Sequence, residues 1–140
     1  MSEARILVVE DEGIISLQIQ NMLRSMGYSV CGKASSGQKA IEEAGEMRPD
    51  LVLMDVMMRE SMDGIEAAQQ ILVRFNIPVI FVSGCADDET LGRARAVGHF
   101  AYLIKPFTER GLDSAIKMTI QKYGLEGQRR MPDRPGALQN

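Results

Sequence analysis

At 140 residues the chain is the size of one domain, able to bury a single core without disulfide or metal staples. Apolar residues make up 45% and charged residues 25%, and no apolar run approaches the length of a membrane span. The net charge of -3 argues against a chain that holds nucleic acid through bulk positive charge.

Arg5 to Glu10 (RILVVE) reads as a short strand running into the acids Glu10, Asp11 and Glu12. No small-residue cleavage site follows it, so MSEARILVVE is not a signal peptide and a cytoplasmic protein is expected. Ile15, Ile19, Met22, Leu23 and Met26 recur at helical spacing and predict an amphipathic helix stopped by Gly27. Tyr28 to Ala34 alternates weakly and predicts a second strand. Ala40, Ile41, Ala44 and Met47 mark a second helix ahead of Pro49. Leu51 to Met54 is a continuous apolar run, bounded by Pro49 and the Gly64 region, which predicts a strand buried on both faces. It ends on Asp55. An ionisable group suits the exposed carboxyl end of such a strand, where open parallel sheets bind ligands, although capping a helix is the plainer role.

Beyond Asp63-Gly64, Ile65, Ala68, Ile71, Leu72 and Phe75 predict a third helix. Pro78 opens the strand PVIFVS, which ends on Ser83. Asp87 and Asp88 are placed to cap a fourth helix carrying Leu91, Ala94 and Val97 and ended by Gly98. The last strand, FAYLI, ends on Lys105 and Pro106. Leu112, Ala115, Ile116, Thr119 and Ile120 form the fifth helix. Five βα units with short connections predict an α/β, doubly wound, flavodoxin-like sandwich around a parallel five-stranded sheet. The order 2-1-3-4-5 is one of its two common solutions. Residues 1–123 form this domain, and residues 124–140 lose periodicity and read as a flexible tail or linker. Cys31 and Cys85 form no CxxC pair. Two buried thiols are expected, with a disulfide left open. His99, the single histidine, leaves little for a zinc site or a Ser-His-Asp triad.

The strand ends bring together Glu10, Asp11, Asp55, Ser83 and Lys105. Three carboxylates at one sheet edge repel one another, and a hard divalent cation removes that conflict. Mg2+ takes oxygen ligands and keeps waters when few carboxylates bind it. Asp11 and Asp55 are the expected direct ligands, with Glu10 acting directly or through water and a backbone carbonyl after Asp55 completing the set. A phosphoryl group would fill an open metal position, with Lys105 as a point charge and Ser83 as a hydrogen-bond donor. Asp55 is then the nucleophile of an in-line phosphoryl transfer.

This ordered set resembles the receiver domain of two-component response regulators, on VVEDE (Val8 to Glu12), LVLMD (Leu51 to Asp55), MDG (Met62 to Gly64), PVIFVSG (Pro78 to Gly84) and KPF (Lys105 to Phe107). The wording MDGIEAAQQI and ADDETLGRARAVG is also similar to receivers that accompany sensor histidine kinases without a DNA-binding domain. The resemblance implies that Asp55 is the phosphoacceptor, Glu10 and Asp11 the acidic pair, and Met57 the source of the metal-binding carbonyl. It implies Ser83 as the switch hydroxyl, Tyr102 as the aromatic switch and a cis Lys105-Pro106 peptide. The implied partners are a sensor histidine kinase and a downstream protein bound through the fourth helix, fifth strand and fifth helix, with a homodimer left open. Neither nucleic acid nor membrane is contacted directly. Such a chain is not a turnover enzyme and catalyses only its own phosphorylation and dephosphorylation. One departure stands out: VMMRES lacks the proline usual before MDG and is one residue longer, which bears on the shape of that loop.

The alternative is an aspartate-nucleophile phosphohydrolase of the haloacid-dehalogenase kind. That chemistry needs a general acid two residues after the nucleophile, where this chain has Met57, which transfers no proton. An FMN binder of the same fold would need Ser, Thr or Gly after the first strand, where this chain has EDEG. In receivers, the residues two after the phosphoacceptor and two after the switch hydroxyl flank the hydrolytic water. Here these are Met57 and Cys85, neither of which positions water firmly, so slow self-dephosphorylation is expected.

Overall fold

The computed structural model describes residues 4–58, 63–84, 87–97 and 101–123. Its elements in chain order are β1 (Arg5–Val9), α1 (Gly13–Ser25), β2 (Ser29–Ala34), α2 (Gly37–Met47), β3 (Leu51–Asp55), α3 (Gly64–Phe75), β4 (Val79–Ser83), α4 (Asp88–Val97), β5 (Tyr102–Ile104) and α5 (Glu109–Tyr123). The five strands are parallel and lie in the order β2-β1-β3-β4-β5, as expected.

Successive side chains of a strand point to opposite faces, which sorts the apolar runs into two cores. On one face Leu7, Val9, Val52, Met54, Val79 and Phe81 pack with Ile41 and Ala44 of α2, Ala68 and Ile71 of α3 and Ala94 of α4. On the other, Ile6, Val8, Leu51, Leu53 and Ile80 pack with Ile19 and Leu23 of α1 and Leu112 and Ile116 of α5. β3 and β4 are buried along their whole length, which is why their sequences are unbroken apolar runs and not alternations. Each fully buried Ile or Leu is worth about 1.5–3 kcal/mol, so the central strands carry most of the fold.

The strand boundaries differ slightly from those read in the sequence. β1 closes at Val9, leaving Glu10 just beyond the ladder, and β2 begins at Ser29. β5 is only three residues long. Of the two aspartates before α4, Asp87 is the cap, accepting from the Thr90 N–H at 2.7 Å, while Asp88 is already helical. Cys31 is half-buried and not buried, because Ile6 pairs with Val30 and Leu7 with Gly32, so Cys31 is the extra residue of a bulge. Cys85, Gly98, His99, Met62 and the expected tail 124–140 lie outside the described residues.

One glycine fixes the connection between β3 and α3. The Gly64 N–H donates to Val56 O at 3.1 Å. A Cβ on Gly64 would stand 2.2 Å from the Asp55 carbonyl oxygen and 2.9 Å from Met54 Cγ. Gly64→Ala is therefore expected to destabilise the protein by about 1–3 kcal/mol through overpacking. Gly92, inside α4, has nothing within 4 Å of such a Cβ, and Gly92→Ala should stabilise by about 0.5–1 kcal/mol through helix propensity. Urea unfolding of the two variants, which should move the midpoint in opposite directions, checks this contrast.

Candidate functional site

Parallel strands put all their carboxyl ends at one edge of the sheet, and there the sequence places its polar groups. Glu10 follows β1, and its N–H donates to Ala34 O at 3.0 Å, so the chain leaves the sheet in a fixed direction. Asp55 and Ser83 are the last residues of β3 and β4. Lys105 follows β5 and is fixed by its own N–H, which donates to Ser83 O at 2.8 Å. The Lys105-Pro106 peptide is cis.

Four of the expected site residues converge. Single oxygens of Glu10, Asp11 and Asp55 lie within 4.8 Å of one another. Lys105 Nζ is 3.1 Å from Glu10 Oε1 and 3.6 Å from Asp55 Oδ2. Glu10 and Asp55 are buried, and Asp11 is half-buried at the mouth. Two backbone donors complete the site without any side-chain signal in the sequence. The Met57 N–H reaches Asp55 Oδ1 at 3.2 Å, and the Glu12 N–H reaches Glu10 Oε2 at 3.3 Å. Each is a turn following a strand end, a feature with little side-chain signature.

The charges do not balance by themselves. Burial, then the charge and hydrogen bond of Glu10, push the Asp55 carboxyl from 3.8 up to about 7, against the opposing pull of Lys105 and the Met57 N–H. Burial also works against the Lys105 charge, but the hydrogen bond to Glu10 and the charge of Asp55 outweigh it and raise its pKa. Three oxygen ligands of this kind, short of positive charge, fit a hard divalent cation.

Ser83 is fully buried. On the neighbouring strand Tyr102 pairs with Phe81 and Ile104 with Ser83, so Tyr102 shares a face with Ser83, two residues down the sheet. Tyr102 is half-buried, its ring tilted 49° to that of Phe81 with centroids 6.2 Å apart. Met57 lies at the mouth, 64% exposed. Cys85, the other residue expected to flank the water, lies outside the described residues. On α1, Ile14 and Leu17 fall off the apolar stripe read in the sequence and are exposed at 77% and 55%. A groove of about 380 Å³ between α1 and the segment after β5 is lined by Ile15, Gln18, Ile19, Met22, Lys105, Pro106 and Phe107.

This combination of a 2-1-3-4-5 α/β sandwich with acids and a lysine at its strand ends defines a signalling domain of the flavodoxin-like class. Residues 6–117 match the model of the response regulator receiver domain, and the chain belongs to that family, the receivers of two-component signalling. It is 38% identical over 128 residues to the transcriptional regulatory protein PdtaR of Mycobacterium tuberculosis, covering 89% of this chain and 62% of that protein. The chain thus spans about three-fifths of that relative's length. It is 32% identical over 104 residues to the chemotaxis protein CheY of Thermotoga maritima, covering 74% of this chain and 86% of that one. Among solved structures, the signal receiver domain of a modulated diguanylate cyclase from Desulfovibrio desulfuricans superposes with a TM-score of 0.82 at 36% identity. That match covers 86% of this chain and 96% of that chain. Members of the family are signalling switches and not classical enzymes, and they interact with histidine kinases and downstream partners. Nothing in these likenesses supports the phosphohydrolase alternative. No helix among the described residues is long and apolar enough to cross a membrane.

The raised pKa of Asp55 has a consequence for stability. Between pH about 4 and about 7 the folded, metal-free protein holds a proton on Asp55 that the unfolded chain has lost. Asp55 therefore makes stability fall as pH rises through that window. Urea midpoints of the metal-free wild type should drop from pH 4 to 7 more steeply than those of Asp55→Asn. Equal slopes would contradict the burial of an uncompensated charge at this position.

Proposed function

We propose that Asp55 accepts a phosphoryl group from a sensor histidine kinase, with Mg2+ bound, and that this changes the conformation presented to a downstream protein. The observation that carries the reading is the seating of the buried Asp55 carboxylate between Glu10, Asp11 and the Lys105 ammonium. Glu10, Asp11, Asp55 and the Met57 carbonyl would hold the ion. When bound, it neutralises their charge and that of a phosphoryl group's oxygens. The Met57 N–H orients Asp55 by holding Oδ1. Lys105, already anchored on Glu10, presents a point charge to the incoming phosphoryl oxygens, and the Ser83 hydroxyl donates to one of them. The Asp55 oxygen forms the new O–P bond as the donor's P–N bond breaks. These residues serve only this chain's own phosphorylation and dephosphorylation.

For signal output, capture of the phosphoryl group by Ser83 frees space into which Tyr102 turns, which alters the face made by α4, β5 and α5. This is a population shift between two conformers. Ile14 and Leu17, exposed at the start of α1 just after the acidic pair, are the apolar residues offered to the kinase. The setting is cytoplasmic, with no direct contact to nucleic acid or membrane.

Incubation with acetyl phosphate or a phosphorylated kinase in Mg2+ should add one phosphoryl group to the wild type and none to Asp55→Asn. Label that persists at another residue overturns the assignment. Asp11→Asn should weaken Mg2+ binding by at least about tenfold, since even outer-shell partners of a metal site are worth 10–100-fold.

The lifetime of the phosphorylated state depends on Met57 and Cys85. A thioether at the mouth accepts hydrogen bonds weakly and orients no water, and it is flexible enough to lie over the acyl phosphate. The chain therefore loses its phosphoryl group slowly and relies on a partner for resetting. Met57→Asn, which supplies a water-orienting amide, should speed phosphoryl loss in Mg2+ buffer. An unchanged or slower rate would show that Met57 does not shield the site.

A further inference from the structure

Among the described residues α4 is the most thinly anchored helix. Ala94 is its one buried residue, against four or five on each other helix, and its main packing neighbour is α3. A polar contact therefore weighs more here than on a well-buried helix. Arg93 supplies one: its Nη2 is 2.7 Å from Asp63 Oδ2, with the two side chains 43% and 30% exposed.

Asp63 is tied to the site by its position in the chain. It is the N-cap of α3, its Oδ1 accepting from the Glu66 N–H at 3.0 Å while its own N–H donates to Glu66 Oε1 at 3.3 Å. The next residue is Gly64, whose N–H bonds Val56 O at 3.1 Å. The Gly64 Cα faces the Asp55 carbonyl so closely that a Cβ there would stand 2.2 Å from that oxygen. A contiguous run of contacts thus leads from α4 through Arg93, Asp63 and Gly64 to the backbone of Asp55. It is separate from the path through Ser83 and Tyr102.

Building on the reading of Asp55 as phosphoacceptor, we propose that the Arg93–Asp63 pair is a latch that ties the position of α4 to the backbone at Asp55. Phosphorylation, by moving that backbone, loosens the latch and releases α4. A partner that binds the released α4 in turn favours the phosphorylated form, because coupling between two sites is reciprocal. Arg93 is a positioning residue acting through Asp63, and it touches none of the reacting atoms. Because the pair is partly exposed, its effect is modest and screened by salt.

Hydrogen exchange of the α4 amides in the full chain, with and without acetyl phosphate and Mg2+, tests the latch. In the unphosphorylated state Arg93→Ala should speed α4 exchange by about 1.5- to 5-fold, the range of a partly exposed ion pair. Arg93→Lys should restore part of the protection. Asp63→Ser, which keeps a capping oxygen but cannot reach Arg93, should reproduce Arg93→Ala, and the double variant should add nothing further. Phosphorylation should speed α4 exchange in the wild type, by an increment that shrinks in Arg93→Ala and at high salt. Unchanged α4 exchange in Arg93→Ala, additive effects in the double variant, or a full increment retained without Arg93 would each overturn the latch. If the wild type takes up no phosphoryl group, the phosphoacceptor reading fails instead, and the unphosphorylated comparison still decides whether the pair holds α4.

Discussion

A single ammonium organises the reactive edge of this sheet. Lys105 Nζ stands 3.1 Å from Glu10 Oε1 and 3.6 Å from Asp55 Oδ2, both on buried carboxylates. Removing that ammonium would leave two buried carboxyl groups facing each other with no counter-charge. The same residue's N–H closes β5 onto β4 through Ser83 O. Registry of the fifth strand and neutralisation of the acids are therefore one constraint. It is incomplete by design of the residue set, since one ammonium cannot balance three carboxylates whose oxygens lie within 4.8 Å. The raised Asp55 carboxyl records the deficit, and a divalent cation or a phosphoryl group's own counter-charges would act on it.

Much of this is legible in the amino-acid sequence itself. Leu51 to Met54 and Val79 to Val82 are apolar without interruption, a pattern that only a strand covered on both faces explains at that length. Given five βα units, the strand ends share one edge, so Glu10, Asp11, Asp55, Ser83 and Lys105 had to approach one another. What the sequence hid follows from different physics. The bulge at Cys31 depends on how β2 pairs with β1, which no single strand encodes. The Met57 N–H on Asp55 is a backbone contact, indifferent to the side chain that carries it. Arg93 and Asp63 are 30 positions apart and half in solvent, and surface charges of opposite sign are too common to be paired by reading. The exposure of Ile14 and Leu17 is likewise invisible, since helical spacing identifies a buried stripe but does not say what lies beside it.

The two faces of the sheet are fastened differently, and the difference matters for a switch. On the α1/α5 face the Tyr28 hydroxyl donates to Asp113 Oδ1 at 2.5 Å, and the Ser25 hydroxyl reaches Glu109 Oε2 at 3.3 Å, adding polar ties to a core of large aliphatics. On the opposite face α2 and α3 are well buried, but α4 contributes one alanine to the core. The next strand, β5, is three residues long with none fully buried. Segments with few buried apolar contacts open at the lowest free energy, and switching elements are drawn from that end of the range. The fully buried β3 and β4 seat Asp55 and Ser83 at their carboxyl ends in the alignment that group transfer requires. α4 and β5 lie one step away, where fewer buried contacts oppose a shift between two conformers. Buried chemistry and soft readout thus sit side by side because burial falls off steeply from the fourth strand to the fifth.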